Sequence, residues 1–484
     1  MMRLMPERQD IHELSFGYIS TSTYVQLFYY TDIIAIYITV ILVAIMRFYN
    51  REIELQTLHN MAIKSMQTAQ MTFIVGRRRV GKTKLILTAY PHDRVYFFVS
   101  KKSEPLLCHE FKTQIESILG VKVHGNFVLF SQLFEYLLEL STTRHFTLVI
   151  DEFQEFFNIN AAIYSEIQNL WDRYKDHSKL NLVLSGSIYS LMHKIFEHAK
   201  EPLYGRANKK MFLKPFSIQT LRDIFVDYHA PITSKSMLAF YTITGGMAKY
   251  VELLADNQAF DLDAILDVFF ENSSVFIHEG RDLLIEEFGK DYTTYFSILS
   301  LIASSKTSRP EIESILGKSI GGYLDRLEHD FGIIKTIKPI FSKPNSRTQK
   351  YAMEDNFLNF WFRFIYKYQS AIEIENYDYV KSIIKDDFST FSGRFLEKYF
   401  VEKFKKSKQF NLIGNYWERG NQNEIDIIAV NEREKFAIIA EVKRSVNRIN
   451  LRELEHKAHA LVNKHLSGYK IIYQGLSLDE MFDV

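Results

Sequence analysis

The stretch that most constrains the fold covers residues 71–83, MTFIVGRRRVGKT, where a short apolar strand runs into the pattern G-x-x-x-x-G-K-[ST]. A loop whose backbone N–H groups all point inward forms a concave site for an anion, and glycines allow the backbone to turn that tightly. The amphipathic helix that follows adds the positive end of its dipole at the same place. Strand, loop and helix in this order predict a phosphate-binding loop.

Each position of this loop has a predicted part in holding a nucleotide. Lys82 is expected to reach the β- and γ-phosphates, and the Thr83 hydroxyl is expected to be a ligand of Mg²⁺. The predicted cofactor-binding residues of the loop are Gly76, Arg77, Arg78, Arg79, Val80, Gly81, Lys82, Thr83 and Lys84. The alternative, a glycine-rich turn that matches the pattern by chance, leaves the strand before it and the helix after it unexplained.

Length and composition bound the rest of the chain. At 484 residues it is too long for one hydrophobic core and predicts roughly two to four domains. The net charge is +1, so any basic surface for nucleic acid must come from local clustering. Cys108 is the only cysteine, which excludes an internal disulfide framework and a zinc ribbon. We expect it to be a small buried side chain.

The N-terminal segment has two interpretations. Residues 27–46 are almost continuously apolar and are followed by Arg47 and Arg51. The segment is either a single membrane anchor that leaves the rest of the chain in the cytoplasm, or an extension outside the working protein, with translation beginning at Met46. A secretory signal is not expected, because a phosphate-binding domain and a lone cysteine follow. The expected location of the bulk of the chain is the cytoplasm.

A second chemical signal is the acid pair Asp151-Glu152, which directly follows the apolar strand at residues 146–150. This arrangement can carry a metal ligand and a water-orienting base at the carboxyl edge of a parallel sheet. Asp151 is therefore expected to hold Mg²⁺, directly or through water, and Glu152 to polarise the attacking water. The alternative is a solvated acid pair at a strand end.

Two further residues are candidates for the same site. Ser185 ends the strand at residues 180–184, where its hydroxyl can lie near the γ-phosphate, although small polar residues are also ordinary turn chemistry. Arg206 precedes a fifth strand and is a candidate for stabilising the transferred phosphoryl group, in its own chain or on a neighbouring subunit. A surface arginine is the alternative. The five strands alternate with helices and predict an α/β fold.

The middle of the chain predicts a helical lid and then a change of pattern. Three helices followed by two short strands, over residues 295–353, are the element order of a winged helix-turn-helix. Its expected basic residues lie in the wing and are Lys335, Lys338, Lys343, Arg347 and Lys350. Two roles of this segment remain alternatives: contact with DNA through the wing, and packing between domains.

The C-terminal part carries a separate constellation of charged residues. Glu397 lies on a predicted helix, Asp426 on the strand at residues 424–430, and Glu441 and Lys443 on or beside its hairpin partner. Residues two apart in a strand project from one face. Three carboxylates and a lysine together would bind one or two divalent metals, through Asp426 and Glu441, and activate a water for attack on a phosphodiester. The alternative is an edge hairpin with solvated charges.

Two stretches resemble known families. The motifs MRFYNREIEL, GRRRVGKT, LVIDEFQ, LSGS, PLYGR and TGGMAKYVELL, in that order over residues 46–350, resemble the archaeal-type AAA family of P-loop ATPases, which is close to the STAND signalling ATPases. The resemblance implies ATP and Mg²⁺ as cofactors, and its characteristic LYGR implies a functional role for Arg206. Residues 388–473, with Glu397, Asp426, Glu441 and Lys443, are similar to the PD-(D/E)xK nuclease superfamily.

The sequence thus predicts an α/β protein with a P-loop parallel sheet, a helical lid, a winged helix-turn-helix and a restriction-endonuclease-like domain. The predicted divisions are an apolar extension (1–45), the ATPase core (46–216), the lid (217–285), the winged helix (286–352), a helical connector (353–387) and the nuclease-like domain (388–484). The expected function is ATP hydrolysis that controls a DNA-binding, nuclease-like tail. The expected partners are ATP, DNA and, in a homo-oligomer, further copies of the chain. The alternative is a nucleotide switch or scaffold whose tail binds nucleic acid or protein without cleaving.

Overall fold

The computed structural model describes residues 48–92, 94–186, 192, 195–289, 292–418, 420 and 422–482. The two interpretations of the N-terminal apolar segment concern residues that lie outside these ranges. Within these ranges, no helix combines the length and the apolar character that crossing a membrane requires.

A five-stranded parallel sheet organises the N-terminal part of the chain. Its strands are β1 (Gln70–Val75), β2 (Arg94–Phe98), β3 (Phe146–Asp151), β4 (Leu180–Gly186) and β5 (Lys209–Phe212). The order across the sheet is β2-β3-β4-β1-β5, and every neighbouring pair is parallel. The carboxyl ends of β1, β3 and β4 therefore lie at one edge, with β4 between the other two. The predicted α/β fold with this parallel sheet is confirmed.

Helices connect these strands and complete the core. They are α1 (Glu52–Ser65), α2 (Lys82–Ala89), α3 (Glu104–Leu119), α4 (Phe130–Thr143), α5 (Phe156–Ile159) and α6 (Ile163–Tyr174). Side chains from β1, β3 and β4 pack with α3, α4 and α6 in one buried cluster that is rich in phenylalanine. β1, β3 and β4 are buried along their whole length, which explains why their sequences are mostly apolar.

Cys108 on α3 is buried, as the sequence predicted. Burial, with a smaller effect from Glu104, raises the pKa of its thiol to about 12. Because the thiolate is the reactive form, iodoacetamide at pH 8 is expected to modify the native protein at least about 100-fold more slowly than the unfolded protein. Mass spectrometry of timed samples measures both rates. Rapid modification of the native chain would mean that α3 opens readily.

A helical region follows the parallel sheet. Its described helices are α7 (Ile218–Asp227), α8 (Ser234–Thr244), α9 (Ala248–Asp256), α10 (Leu262–Phe269) and α11 (Phe276–Phe288). The break between α8 and α9 falls at the predicted Gly245-Gly246 pair, where both glycines have positive φ. At Gly246 a Cβ would lie 2.3 Å from the Phe216 carbonyl oxygen, so a larger residue does not fit there.

The next region has the helix and hairpin order that the sequence predicted. It contains α12 (Tyr292–Ala303), α13 (Arg309–Leu316), α14 (Gly321–Asp325), a π-helical turn (Arg326–Asp330) and the antiparallel strands β6 (Ile334–Ile337) and β7 (Lys350–Met353). The connection between β6 and β7 packs against the C-terminal part, since the buried Ile340 donates its N–H to the Asn415 carbonyl at 2.8 Å. Lys350 pairs with Glu424 at 2.9 Å and lies over Trp417. These contacts favour a packing role for the wing.

The C-terminal part combines helices with a second sheet. The helices are α15 (Asn356–Phe360), α16 (Gln369–Glu373), α17 (Tyr377–Phe391), α18 (Gly393–Ser407) and α19 (Leu451–His465). The strands are β8 (Leu412–Tyr416), β9 (Ile425–Asn431), β10 (Phe436–Val442) and β11 (Lys470–Leu476), in the order β11-β10-β9-β8. β9 and β10 form the predicted antiparallel hairpin, and β11 runs parallel to β10.

Candidate nucleotide site and C-terminal carboxylate cluster

The loop after β1 has the backbone shape of an anion site. Arg79 and Gly81 adopt positive φ values of 70° and 95°, and α2 begins at Lys82. Gly76 is required by its surroundings, since a Cβ there would lie 2.8 Å from the Leu213 carbonyl oxygen and 2.9 Å from a methyl group of Val80. The N-terminus of α2 therefore opens into a loop with the curvature that a phosphate needs.

Lys82 lies inside this loop. Its Nζ donates to the Gly76 carbonyl at 2.8 Å and to the Arg77 carbonyl at 3.2 Å. Burial lowers the pKa of its ammonium group, and the nearby Glu152 and Asp151 oppose that shift. The two carbonyls thus accept the hydrogen bonds that Lys82 would otherwise donate to an anionic partner.

The predicted magnesium ligands are in contact with each other. The Thr83 hydroxyl at the start of α2 donates to Asp151 Oδ2 at 3.2 Å, although β4 lies between the strands that precede them. The Tyr96 hydroxyl donates to the same carboxylate oxygen, and the Glu152 N–H donates to Oδ1 at 3.0 Å. A hydroxyl and a carboxylate are oxygen ligands of the kind that Mg²⁺ prefers, so these residues fit the ion.

Glu152 lies at the end of β3 in a left-handed conformation, with φ of 52°. Gln154 donates its side-chain N–H to Glu152 Oε2. Gln154 Oε1 and Ser185 Oγ are both buried, and within the described part of the chain neither has a hydrogen-bond partner. Unsatisfied buried polar atoms beside an acid pair are expected where water or a ligand completes the site.

Tyr96 and Gln154 are site residues that the sequence analysis did not identify. Burial and the charge of Asp151 raise the pKa of the Tyr96 hydroxyl, which keeps it protonated as a donor. Its position on β2 gives no local signal, since β2 is simply an apolar strand. Gln154 does have one, because it is the last residue of the motif LVIDEFQ.

Four basic side chains of the loop form ion pairs with acids of later elements. Three arginines and one lysine that were predicted to bind the cofactor instead pair with acids on later helices. The pairs are Arg77 with Asp355 at 3.0 Å, Arg78 with Glu287 at 3.9 Å, Arg79 with Glu279 at 2.8 Å and Lys84 with Glu252 at 3.2 Å. Lys82 donates to two carbonyls inside the loop, whereas these four side chains are held by carboxylates of later elements.

Arg206 is not brought to the phosphate loop of its own chain. It pairs with Asp172 through two nitrogens, at 2.8 and 3.1 Å, and lines a cavity of about 290 Å³ with Gln70 at the start of β1. The phosphate loop follows Val75 at the other end of this strand, about 17–20 Å away at the rise of a β-strand. A role in its own chain does not fit this position, and a role on a neighbouring subunit stays a prediction.

The C-terminal constellation forms a compact cluster. Asp426 Oδ2 accepts hydrogen bonds from the Val442 N–H at 2.8 Å and from Lys443 Nζ at 3.3 Å. Lys443 Nζ also lies 3.2 Å from Glu441 Oε1, so the lysine bridges both carboxylates. Burial lowers the pKa of Lys443, but Asp426 and Glu441 outweigh this and raise it above its ordinary value.

Glu397 on α18 belongs to the same cluster. Burial, followed by the charges of Asp426 and Glu424, raises the pKa of its carboxyl group to about 8. Burial also raises the pKa of Asp426, against the Val442 N–H and Lys443. Across the described ranges, no set of three or more His, Cys, Asp or Glu side chains has an arrangement that could hold a metal ion. The cluster as it stands is a lysine that contacts two carboxylates, beside a buried glutamate whose pKa is raised.

The order of the parallel sheet and the loop at the end of β1 define a P-loop NTPase fold. In agreement with this, residues 48–254 match a family described as an ATPase domain predominantly from Archaea. Residues 361–455 match a second family, described as archaeal and bacterial proteins of unknown function. The chain is therefore similar to archaeal ATPase domains over residues 48–254 and to a second, separately described family over residues 361–455.

One curated relative and two solved structures illustrate what the chain is similar to. Protein MJECL04 of Methanocaldococcus jannaschii, whose name describes it as uncharacterized, is 28% identical over 410 residues, covering 82% of this chain and 87% of its own. The Walker-type ATPase PABY2304 of Pyrococcus abyssi is 17% identical with a TM-score of 0.50, covering 66% of this chain and 99% of its own. The ORC2 protein of Aeropyrum pernix, solved in ADPNP and ADP complexes, is 12% identical with a TM-score of 0.45, covering 70% and 96%.

Proposed function

We propose that this protein is a Mg²⁺-dependent ATPase whose nucleotide state controls its C-terminal region. The observation that carries the proposal is the contact between Thr83 and Asp151 at 3.2 Å. It joins the start of α2 to the end of β3 at the edge where the phosphate loop opens. Bound there, Mg²⁺ would neutralise charge on the β- and γ-phosphates.

The side chains around this contact have distinct roles in the proposal. Lys82, now held by two loop carbonyls, exchanges those carbonyls for phosphate oxygens. Glu152 accepts a hydrogen bond from the attacking water and turns it toward the γ-phosphate. Gln154 donates to one oxygen of Glu152 and so orients the carboxylate. Ser185 is buried near the end of the intervening strand, has no hydrogen-bond partner among the described residues, and is the donor proposed for the γ-phosphate.

The C-terminal region is proposed to act on DNA. The cluster of Glu397, Asp426, Glu441 and Lys443 would use Asp426 and Glu441 to hold a divalent metal, with Lys443 orienting the attacking water. The helices and hairpin between residues 292 and 353 are proposed to form a winged helix that contributes to DNA binding. Arg206 is proposed to act across a subunit boundary in a homo-oligomer, since its own loop is at the far end of β1.

A second candidate function is favoured by one observation. Lys443 bridges Asp426 and Glu441, and a lysine in that place neutralises the carboxylates that a metal would need. The wing also uses Lys350 for an internal ion pair with Glu424. The C-terminal region would then bind nucleic acid or protein without cleaving it, and the ATPase domain would act as a switch.

Parallel assays distinguish the two candidates. We expect the purified protein to release phosphate from ATP in the presence of Mg²⁺, and to nick plasmid DNA with Mg²⁺ or Mn²⁺ at a rate that depends on nucleotide. The DNA assay is run with ATP, with a nonhydrolysable analogue and without nucleotide. Phosphate release without nicking under any condition would favour the switch, and absence of both nucleotide binding and phosphate release would contradict the proposal.

A further inference from the structure

The phosphate loop has an outer side that its predicted chemistry does not explain. Three consecutive arginines reach from it to acids more than 190 residues later in the chain. We call these residues the arginine latch. They are Arg77, Arg78 and Arg79 with their partners Asp355, Glu287 and Glu279.

Two of the three arginines, Arg79 and Arg77, each make two polar contacts. Arg79 donates to both oxygens of Glu279, at 2.8 and 3.2 Å, in the fork arrangement that is strongest for a guanidinium. Glu279 is buried and also accepts from the Tyr250 hydroxyl at 3.1 Å. Arg77 donates to the Gly332 carbonyl at 2.8 Å besides pairing with the buried Asp355. Because their acid partners are buried, these contacts are not the exposed pairs that contribute little.

The acids of the latch belong to elements that pack tightly together. Glu279 and Glu287 lie on α11, and Asp355 is the N-cap of α15. The Trp361 indole, just after α15, donates to the Ile277 carbonyl of α11 at 2.8 Å. Gly280 lies so close to that indole that a Cβ would come within 2.2 Å of it. A displacement of one element is therefore expected to carry the other with it.

The same elements lead to the C-terminal carboxylate cluster. Asn356, the residue after Asp355, accepts a hydrogen bond from Lys398 Nζ at 2.8 Å. Lys398 follows Glu397 on α18, and Glu397 belongs to the carboxylate cluster. Arg77 is thus linked to α18 through Asp355, the adjacent Asn356 and Lys398.

We propose that nucleotide binding competes with the arginine latch, which holds α11 and the N-terminus of α15 against the phosphate loop. The inference rests on the proposed nucleotide site. A triphosphate in the loop places negative charge beside the cations that now hold three carboxylates, and like charges near one anion site weaken its binding. By linkage, acids that weaken nucleotide binding are themselves held less tightly when the nucleotide is bound. ATP then loosens the contact through which the C-terminal region is held.

The test removes one latch charge at a time from the full-length protein. Glu279→Gln keeps the shape of the side chain, and Asp355→Asn keeps an acceptor for the Leu358 N–H that Asp355 caps at 3.0 Å. Each is expected to tighten the binding of Mg-ATPγS by roughly fivefold or more in titration calorimetry. Glu373→Gln is the control, because it removes the same charge from an exposed side chain on α16, where its carboxylate accepts a hydrogen bond from Gln369, and should change affinity by less than about twofold.

Hydrogen exchange measures the other half of the linkage. In the wild-type protein, Mg-ATPγS is expected to speed amide exchange in Phe276–Phe288 by about fivefold or more, and Lys82→Ala should abolish this effect. If one variant fails to fold, the other carries the affinity test. Nucleotide binding with unchanged or slower exchange in α11, or with wild-type affinity in both variants, overturns the latch alone. A wild-type protein that binds no nucleotide overturns the proposed function as well.

Discussion

Replacing Glu152 with glutamine is expected to lower ATP turnover by between about 100-fold and 10,000-fold while leaving nucleotide affinity within about threefold of wild type. Glutamine keeps the size and hydrogen-bonding reach of the side chain, and it lacks the negative charge that polarises a water. The affinity should persist because the loop backbone, Lys82 and Thr83 are unchanged. Phosphate release at saturating ATP measures turnover, and calorimetric titration with Mg-ATPγS measures affinity.

The control for this variant is Glu110→Gln, which removes a carboxylate from an exposed ion pair with Lys102 on the same domain. It should leave both turnover and affinity unchanged, because exposed pairs contribute little. Turnover at the wild-type rate in Glu152→Gln would remove the proposed base. Loss of affinity in parallel with turnover would instead assign Glu152 a structural part in shaping the left-handed turn after β3.

The ATPase half was predictable because its signals are local. β1 and β3 are buried throughout, so they stand out as mostly apolar runs, and the residues at or after their ends carry the predicted chemistry. The position of β4 between them is what brings Ser185 to the same edge. The carboxyl ends of parallel strands lie at the same edge of the sheet. The contact between Thr83 and Asp151 therefore follows from the order of the strands and the loop pattern.

The partners of the basic side chains could not be predicted in the same way. Arg79 meets Glu279, 200 residues further along the chain, and no spacing or pattern links the two. Arg206 followed the motif PLYGR, which describes its neighbours in sequence and not which end of β1 it reaches. Electrostatic pairing across elements depends on packing, and the sequence of one element contains no information about it.

Only part of the second sheet could be predicted from the sequence. The hairpin of β9 and β10 was predictable from two apolar runs around a polar turn, and its pairing brings Asp426 to the Val442 N–H. β8 is only half buried and β11 alternates between partly and fully exposed positions, so neither has the continuous apolar run that marks a strand. The bridge from Lys443 to both acids depends on side-chain conformations that a strand pattern does not specify.

Asp426→Asn is expected to abolish nicking of plasmid DNA, by roughly 100-fold or more, while ATP turnover stays within about twofold of wild type. Asparagine keeps an oxygen that can accept from the Val442 N–H, so the end of β10 should remain in place. It removes the negative charge that a divalent metal needs at this position. Conversion of supercoiled to open-circular plasmid in Mn²⁺ measures cleavage, and phosphate release in the same preparation measures turnover.

The matched control is Glu432→Gln, which neutralises an acid in the turn after β9, where it accepts a hydrogen bond from Asn411. This change should leave nicking intact, because the turn is at the end of the hairpin remote from Lys443. Equal nicking by Asp426→Asn and wild type would mean that the cleavage comes from another site or a contaminant. If the ion pairs of Lys443 with Asp426 and Glu441 are permanent and exclude a metal, neither wild type nor variant will cleave. Asp426→Asn will then alter only the stability of the folded protein. That pattern would assign the C-terminal region a binding role, with the nucleotide as its switch.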